Sequence, residues 1–332
     1  IDTIGKKMTV CQLYAKQMRH RGNVRYNTKN GRKRLMKLLE EDKLGGCPID
    51  SVKLSDAKEW AIRMKEKGIS YKTISNDKRS LKAAFYTAIQ DDCIRKNPFD
   101  FQLNTVIEDD TEPKVPLTPA QEESFLSFAQ NDKVYQKYYD ELIILLGTGL
   151  RISELCGLTD TDIDFENRII NVDHQLLRSA ETGYYIETPK TKSGIRQIPM
   201  SEKVYEAFNR VLKRRRGAKA VTIDGYSNFL FLNRDGYPKT ATNYDGMFRG
   251  LAKKYNKYHE EALPKVMTPH TLRHTFCTNM ANAGMNPKAL QYIMGHSNIT
   301  MTLNYYAHAT FDSAMAEMKR LNKEKQQERL VA

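Results

Sequence analysis

Apolar positions over the first hundred residues read as helices only. A basic, weakly periodic opening (Arg19, Arg21, Arg25, Lys29, Arg32, Lys33, Arg34, Lys37) runs into Leu35, Met36, Leu38 and Leu39, which predicts a helix with a strongly cationic entry. Ser55 stands as the cap of a second helix through Trp60, Ile62 and Met64, with Gly68 as its stop. A third, from Ser70, sets Ile74, Leu81, Phe85 and Ile89 on one stripe and leaves Lys72, Lys78, Arg79 and Lys82 to solvent or phosphate.

Between Asn104 and Leu117 the periodicity gives way to Glu108, Asp109, Asp110, Pro113 and Pro116, a linker composition. Thr118-Pro119-Ala120-Gln121 then offers an N-cap, a proline at the first helical position and a capping-box glutamine. The expected division is a helical domain over 1–105, a linker over 106–117, a second domain over 118–321 and a polar tail over 322–332. In the second domain, helix signals cover Pro119 to Gln130 and Tyr135 to Leu146, with a short helix after Gly149. Strand-like runs follow at Arg168 to Val172, Tyr184 to Thr188 and Ile195 to Pro199, the last two separated by a segment, 189–194, that reads as a hairpin loop. Ser201 opens a helix ending in Lys213-Arg214-Arg215-Arg216-Gly217, and Asn228 to Leu232 reads as one more short strand before the pattern returns to helix. The fold class expected is mainly α with a small antiparallel β-sheet.

Charge narrows the choice of partner. A net charge of +13 favours a polyanion, because Lys and Arg that neutralise phosphates gain affinity by releasing counterions. Nucleic acid therefore stands ahead of an anionic membrane surface. No run approaches the roughly 18 consecutive apolar residues of a membrane helix and no signal segment opens the chain, so a soluble, cytoplasmic protein is expected. Cys11, Cys47, Cys93, Cys156 and Cys277 are scattered and form no CxxC pair, which argues against a disulfide framework or a thiolate zinc site. The chain opens on Ile1, so a preceding segment is expected.

The chemistry concentrates in a few segments. Thr268 and Pro269 mark a helix start, which puts His270 and Arg273 one turn apart on one face, near backbone N–H groups that favour an anion. A phosphate fits there. His270 and His274 also have the spacing of a zinc-binding helix, but Thr271 stands where such a helix carries glutamate and no cysteine cluster supplies further ligands. No metal is expected. Arg151 follows a glycine-bearing turn, with Glu154 three residues on and able to orient it. Lys192 lies in the 189–194 loop, Gly295-His296 ends a helix opened by Asn286-Pro287, and a further helix would carry Tyr305 and Tyr306 ahead of Ala307-His308. Taken singly, each has an ordinary structural explanation: an ion pair, a solvent lysine, a capping histidine, core aromatics.

Taken in order, they resemble the catalytic domain of the tyrosine recombinases, the phage integrase family. The order is Arg151 within TGLRxSEL, Lys192 within KSGxRxIP, His270 and Arg273 within HxLRHTF, His296 within MGH, and a tyrosine before AH, over Leu117 to Ala309. The preceding helices resemble the family's SAM-like core-binding domain in position and character. The run from His270 through His308 is closest in appearance to integrases of conjugative transposons, which carry a further small N-terminal DNA-binding domain.

The resemblance implies a mixed α/β catalytic domain and a site-specific recombinase that integrates and excises a mobile element through a 3′-phosphotyrosyl intermediate, with no cofactor. It implies Arg151 and Arg273 on the nonbridging oxygens, Lys192 as general acid, His270 as proton acceptor or phosphate donor, and His296 steadying the same phosphate. Nine residues after His296 stands Tyr305, whereas Tyr306 directly precedes the small residue and His308. Transposon integrases follow the second pattern, which selects Tyr306 as nucleophile. Adjacent helical residues point about 100° apart, so only one can face the phosphorus. Double-stranded DNA is the implied partner, with Arg25, Lys29, Arg32, Lys33, Arg34, Lys72, Lys78 and Arg79 as its expected contacts. Dimers to tetramers on DNA are implied, docked through the tail beyond Phe311, where Met315, Met318 and Leu321 form a stripe. A type IB topoisomerase, which shares the chemistry, and a non-catalytic DNA-binding regulator are the other readings.

Overall fold

The structure is a computed structural model that describes residues 7–22, 24–112, 114–189, 191–215 and 221–306, together with Met315 and Met318. The chain divides into two units, Ile1–Pro113 and Lys114–Ala332.

The first unit contains α1 (Val10–His20), α2 (Tyr26–Glu40), α3 (Leu54–Glu66) and α4 (Tyr71–Gln90). The sequence reading placed no helix at α1. Thr9 and Gln12 cap each other's backbone at its start, and Val10, Leu13, Tyr14 and Gln17 are buried at helical spacing. α3 begins at Leu54 with Lys53, not Ser55, as its N-cap, because Asp56 accepts the Lys53 N–H at 2.8 Å. Trp60, Phe85 and Phe99 centre the core; the Phe99 ring meets Trp60 edge-on at 5.8 Å and Phe85 at 5.3 Å. Burial of each such side chain stabilises by about 1.5–3 kcal/mol. Ile107 joins this core, and Asp110 pairs with Lys65 at 2.5 Å.

The second unit comprises α5 (Pro119–Asn131), α6 (Tyr139–Thr148), α7 (Ile152–Gly157), strands β1 (Ile163–Asp164), β2 (Ile169–Val172), β3 (Gln175–Ser179), β4 (Gly183–Glu187) and β5 (Arg196–Pro199), then α8 (Glu202–Arg215), α9 (Ala241–Tyr258), α10 (Pro269–Asn282), α11 (Pro287–Met294) and α12 (Thr300–Leu303). Its α6 is apolar on nearly every side and is packed by α5, α8 and α10. Leu117 is buried in this second core and donates its N–H to Thr275 Oγ1 at 2.9 Å.

The architecture is mainly α with small antiparallel sheets, but the strand pairing differs from the expected hairpin. β5 pairs with β2, in a sheet ordered β1-β2-β5, while β4 turns back onto β3, which the sequence reading did not place. The register explains the choice: Ile170 and Ile198 are partners and both are buried, so a β5 paired elsewhere would lose that core contact. Lys192 therefore lies in a crossover between two sheets, within one 3-10 turn, Lys192–Gly194. The strand expected over Asn228 to Leu232 makes only isolated bridges, Phe229 with Thr159 and Leu232 with Pro238. α12 ends at Leu303, so Tyr305 and Tyr306 sit in the turn after it and not on a helix.

The tail assigned to docking lies outside the described residues apart from Met315 and Met318, which are helical and exposed. Among the described residues no helix is long and apolar enough to cross a membrane.

Candidate active site

A cavity of about 340 Å³ opens between the start of α7, the crossover after β4 and the segment after α11; Arg151, Glu154, Thr191, Gly194, Gly295 and His296 are among its walls. Two left-handed glycines shape it. Gly149, at φ +64°, ends α6 and turns the chain toward Arg151, and a Cβ there would meet the Phe276 ring at 2.5 Å. Gly295, at φ +60°, ends α11, and a Cβ there would stand 3.0 Å from the Ser193 carbonyl oxygen. Only glycine allows the crossover to approach this closely.

Arg151 is extended at the start of α7 and is tied to Glu154 twice: Glu154 Oε1 accepts from its Nη1 at 2.6 Å and Oε2 from its backbone N–H at 2.9 Å. Its Nη2 donates to the Gly295 carbonyl at 3.1 Å, and the side chain stays more than a third exposed, open to a ligand. Arg273, on the first turns of α10, is 3% exposed and donates to the Gly149 and Met294 carbonyls. Burial and the adjacent Arg151 charge press it down to about 9, still a cation at neutral pH.

His296 is 6% exposed, with Nδ1 against Thr302 Oγ1 at 3.0 Å. Burial, then the charges of Arg273, Arg151 and Arg196, lower it to about 4. His270, reachable from solvent, is likewise lowered to about 4 by desolvation and by Lys114 and Arg273. Both imidazoles are neutral at pH 7, so each can donate one hydrogen bond and accept another. Glu154 is buried; burial opposes its charge, yet the Arg196 hydrogen bond and the surrounding arginines pull it down to about 2. Three guanidinium groups, Arg151, Arg196 and Arg273, and two neutral imidazoles around one buried carboxylate leave a net positive site suited to a phosphate.

Arg151, His270, Arg273 and His296 thus gather at one site. Lys192 is exposed, on the turn whose neighbours Thr191 and Gly194 line the cavity. Tyr306 is not brought in: its hydroxyl donates to the Met285 carbonyl at 2.5 Å, and its side chain packs with a small cluster that includes Phe276 and Leu290. The Tyr305 ring lies 4.8 Å from the His274 ring, on the side where its hydroxyl senses Arg273.

The residues expected to contact DNA differ in exposure. Lys29, Lys33, Lys72 and Arg79 are exposed, while Arg25, at the start of α2, and Arg32 are half-buried. For Arg34 and Lys78 the partners within the fold are plain: Arg34 Nη2 grips both oxygens of Asp77, at 2.6 and 2.8 Å, and Lys78 donates to the Phe101 carbonyl at 2.5 Å with that ring beneath it.

Among the described residues, Asp162, Asp173 and His174 bring metal-ligating atoms within 4.8 Å of one another. Both His174 nitrogens are already taken, by Asp173 at 2.6 Å and the Gly157 carbonyl at 2.7 Å, so the group reads as a hydrogen-bonded support for α7. Sequence reasoning gave no role to Arg196, whose side chain is fully buried behind Glu154; the arginine of KSGxRxIP was its only signal.

Residues 116–313 match the phage integrase family. The chain is 71% identical to the transposase of transposon Tn916 from Enterococcus faecalis, over all of this chain and 82% of that one. It is 26% identical to tyrosine recombinase XerC of Bacillus subtilis over 77% of this chain and 76% of that one. The integrase of transposon Tn1549, solved in complex with circular intermediate DNA, superposes with a TM-score of 0.88 at 77% identity, covering 94% of this chain and 99% of that one. Family match, whole-length identity and superposition agree with the order of motifs around the cavity, and the chain belongs to the phage integrase family: it is a tyrosine recombinase, an enzyme that breaks and rejoins DNA.

Proposed function

We propose that the chain integrates and excises a mobile genetic element, cutting double-stranded DNA at the element ends and at a target site. The observation that carries this reading is the cluster of Arg151, Arg273, His270 and His296, close enough for their charges to shift one another, beside a cavity that Arg151 and His296 line. The Tyr305 oxygen, on the side where its hydroxyl senses Arg273, attacks the scissile phosphorus; the P–O5′ bond breaks and a 3′-phosphotyrosyl link keeps the bond energy for rejoining. Arg151 and Arg273 meet the charge that gathers on the nonbridging oxygens, and His296 donates to the same group. His270, neutral, accepts the phenolic proton or donates to the phosphate. Lys192 protonates the departing 5′-oxygen, a role worth about 100- to 10,000-fold in rate. Attack by a 5′-hydroxyl from another strand reverses each step and completes exchange.

The cations of α2 and α4 supply phosphate contacts that position the duplex, and protomers assemble on DNA as dimers and tetramers through the tail beyond Phe311. Relatives solved with circular intermediate DNA support the substrate class. The decisive experiment pairs a suicide substrate, on which the enzyme accumulates a covalent complex resistant to denaturant, with a two-site recombination assay. Adduct plus recombinant product is the expected result. Supercoil relaxation without recombinants would indicate a topoisomerase, and binding without adduct a regulator.

A further inference from the structure

We propose that Arg196 is a positioning residue for strand cleavage: one buried guanidinium holds the segments that carry Lys192, Arg151 and His296 in fixed relation. The inference rests on the recombinase reading above.

Arg196 is the first residue of β5, three residues after Ser193, and its side chain is 0% exposed. Its fork reaches three chain segments. Nη2 and Nη1 donate to the two oxygens of Glu154 at 2.8 and 3.1 Å, Nη1 also to the Gly194 carbonyl at 3.0 Å, and Nε to the Ile293 carbonyl at 2.6 Å. Glu154 in turn holds Arg151, so the first contact fixes the direction of an arginine that Arg196 never touches. The Gly194 contact closes the turn bearing Lys192. The Ile293 contact anchors the end of α11, and three successive carbonyls there, Ile293, Met294 and Gly295, accept from Arg196, Arg273 and Arg151. These are the orphan carbonyls of a helix C-terminus, where cations are favoured.

Stability alone is a poor reason for this arrangement. A buried ion pair commonly adds little over well-packed apolar residues of the same volume, because desolvation offsets the attraction. A planar fork with donors in fixed directions adds relative orientation of three segments, which a single ammonium cannot supply. Arg196 does not line the cavity, so it acts through other residues and does not contact the phosphate.

The test compares Arg196→Lys, and Arg196→Gln as a second variant, with the unaltered chain and with Lys192→Ala. Two suicide substrates are used, one natural and one with sulfur in place of the scissile 5′-oxygen. A thiolate leaves without a proton, so a defect in delivering that proton shrinks on the sulfur substrate. Both rates come from the same folded fraction, which makes their ratio insensitive to partial unfolding. For the Arg196 variants, cleavage of the oxygen substrate is expected to fall about 100-fold while duplex affinity changes less than about threefold. The sulfur-to-oxygen ratio should rise at least about tenfold, in the direction of Lys192→Ala. A ratio unchanged in both Arg196 variants, with the two rates falling together, would make Arg196 a purely structural residue and overturn the proposal; so would cleavage at the unaltered rate. An unaltered chain that forms no adduct sinks the recombinase reading itself. A Lys192→Ala chain with the original ratio removes the general-acid assignment, and this proposal with it.

Discussion

The Tyr306 hydroxyl donates to the Met285 carbonyl at 2.5 Å, so a backbone acceptor between α10 and α11 holds this side chain apart, while its neighbour Tyr305 lies beside His274. Burial and the nearby Cys277 raise the Tyr305 phenol above the ordinary value against the lowering effect of Arg273, so attack requires a proton acceptor, the part given to His270. Tyr305→Phe is expected to abolish the covalent adduct and Tyr306→Phe to keep it within about tenfold of the original rate, both read on a denaturing gel. The reverse pattern would transfer the nucleophile to Tyr306.

Arg151→Lys and Arg273→Lys should each slow cleavage by about 100- to 1,000-fold, because a point charge cannot reproduce two parallel hydrogen bonds to a phosphate. They should differ in stability. Arg273 holds the Gly149 and Met294 carbonyls from a buried position, so its replacement adds a loss of about 1–3 kcal/mol. Arg151 is more than a third exposed and Glu154 keeps its Arg196 partner, so its replacement costs less stability than that of Arg273. Single-turnover cleavage and urea titrations measure the two effects, and full activity of Arg273→Lys would remove it from the phosphate site.

How much of this was legible in the sequence depends on whether a signal is local. His270 and Arg273 share a helix face because Thr268 and Pro269 start α10, and that spacing was readable. The Thr9–Gln12 capping box that opens α1 was equally local and was passed over amid basic residues. Pairing of β5 with β2 was not legible, since Ile170 and Ile198 are partners only after the chain has folded back. Burial of Arg196 behind Glu154 is of the same kind, an ion pair between residues 42 positions apart. Engagement of Arg34 by Asp77 is another: composition counted Arg34 as a free cation, and only tertiary contact shows its partner.

Gly149→Ala tests the backbone beneath the site. A non-glycine residue at φ +64° costs about 1–2 kcal/mol, and the new methyl would press into the Phe276 ring, adding about 1–3 kcal/mol of overpacking. The expected result is a lower thermal midpoint together with slower cleavage, since Arg151 follows the same turn. A variant as stable and as active as the original would contradict this account of the turn.

Stability should also depend on pH through the three lowered histidines, His270, His274 and His296. His296 titrates near 6.5 when unfolded and at about 4 when folded. Between those values the unfolded chain binds a proton that the folded chain refuses, so the unfolding free energy declines as pH falls through this window. The contribution is complete above pH 6.5 and gone below about 4, and for His296 it amounts to about 3 kcal/mol. Denaturant titrations between pH 7 and 4.5 should show this loss, reduced in His296→Gln; an equal loss in that variant would place the proton elsewhere.

The cations of the first unit give the sharpest contrast between folding and binding roles. Lys72 and Arg79 are exposed on α4, whereas Arg34 grips Asp77, whose side chain is 7% exposed. Desolvation already raises that carboxyl against the opposing effect of Arg34. Removing Arg34 leaves a buried acid without its bidentate partner, a loss of about 1–3 kcal/mol. Lys72→Ala and Arg79→Ala remove no such contact. Each should lower the slope of log affinity against log salt by about 0.9 if it neutralises one phosphate. Arg34→Ala is thus expected to lower the thermal midpoint and keep the salt slope, while Lys72→Ala and Arg79→Ala do the opposite. A salt slope that falls with Arg34→Ala would mean that the guanidinium serves Asp77 and a phosphate at once, which its half-exposed outer edge leaves room for.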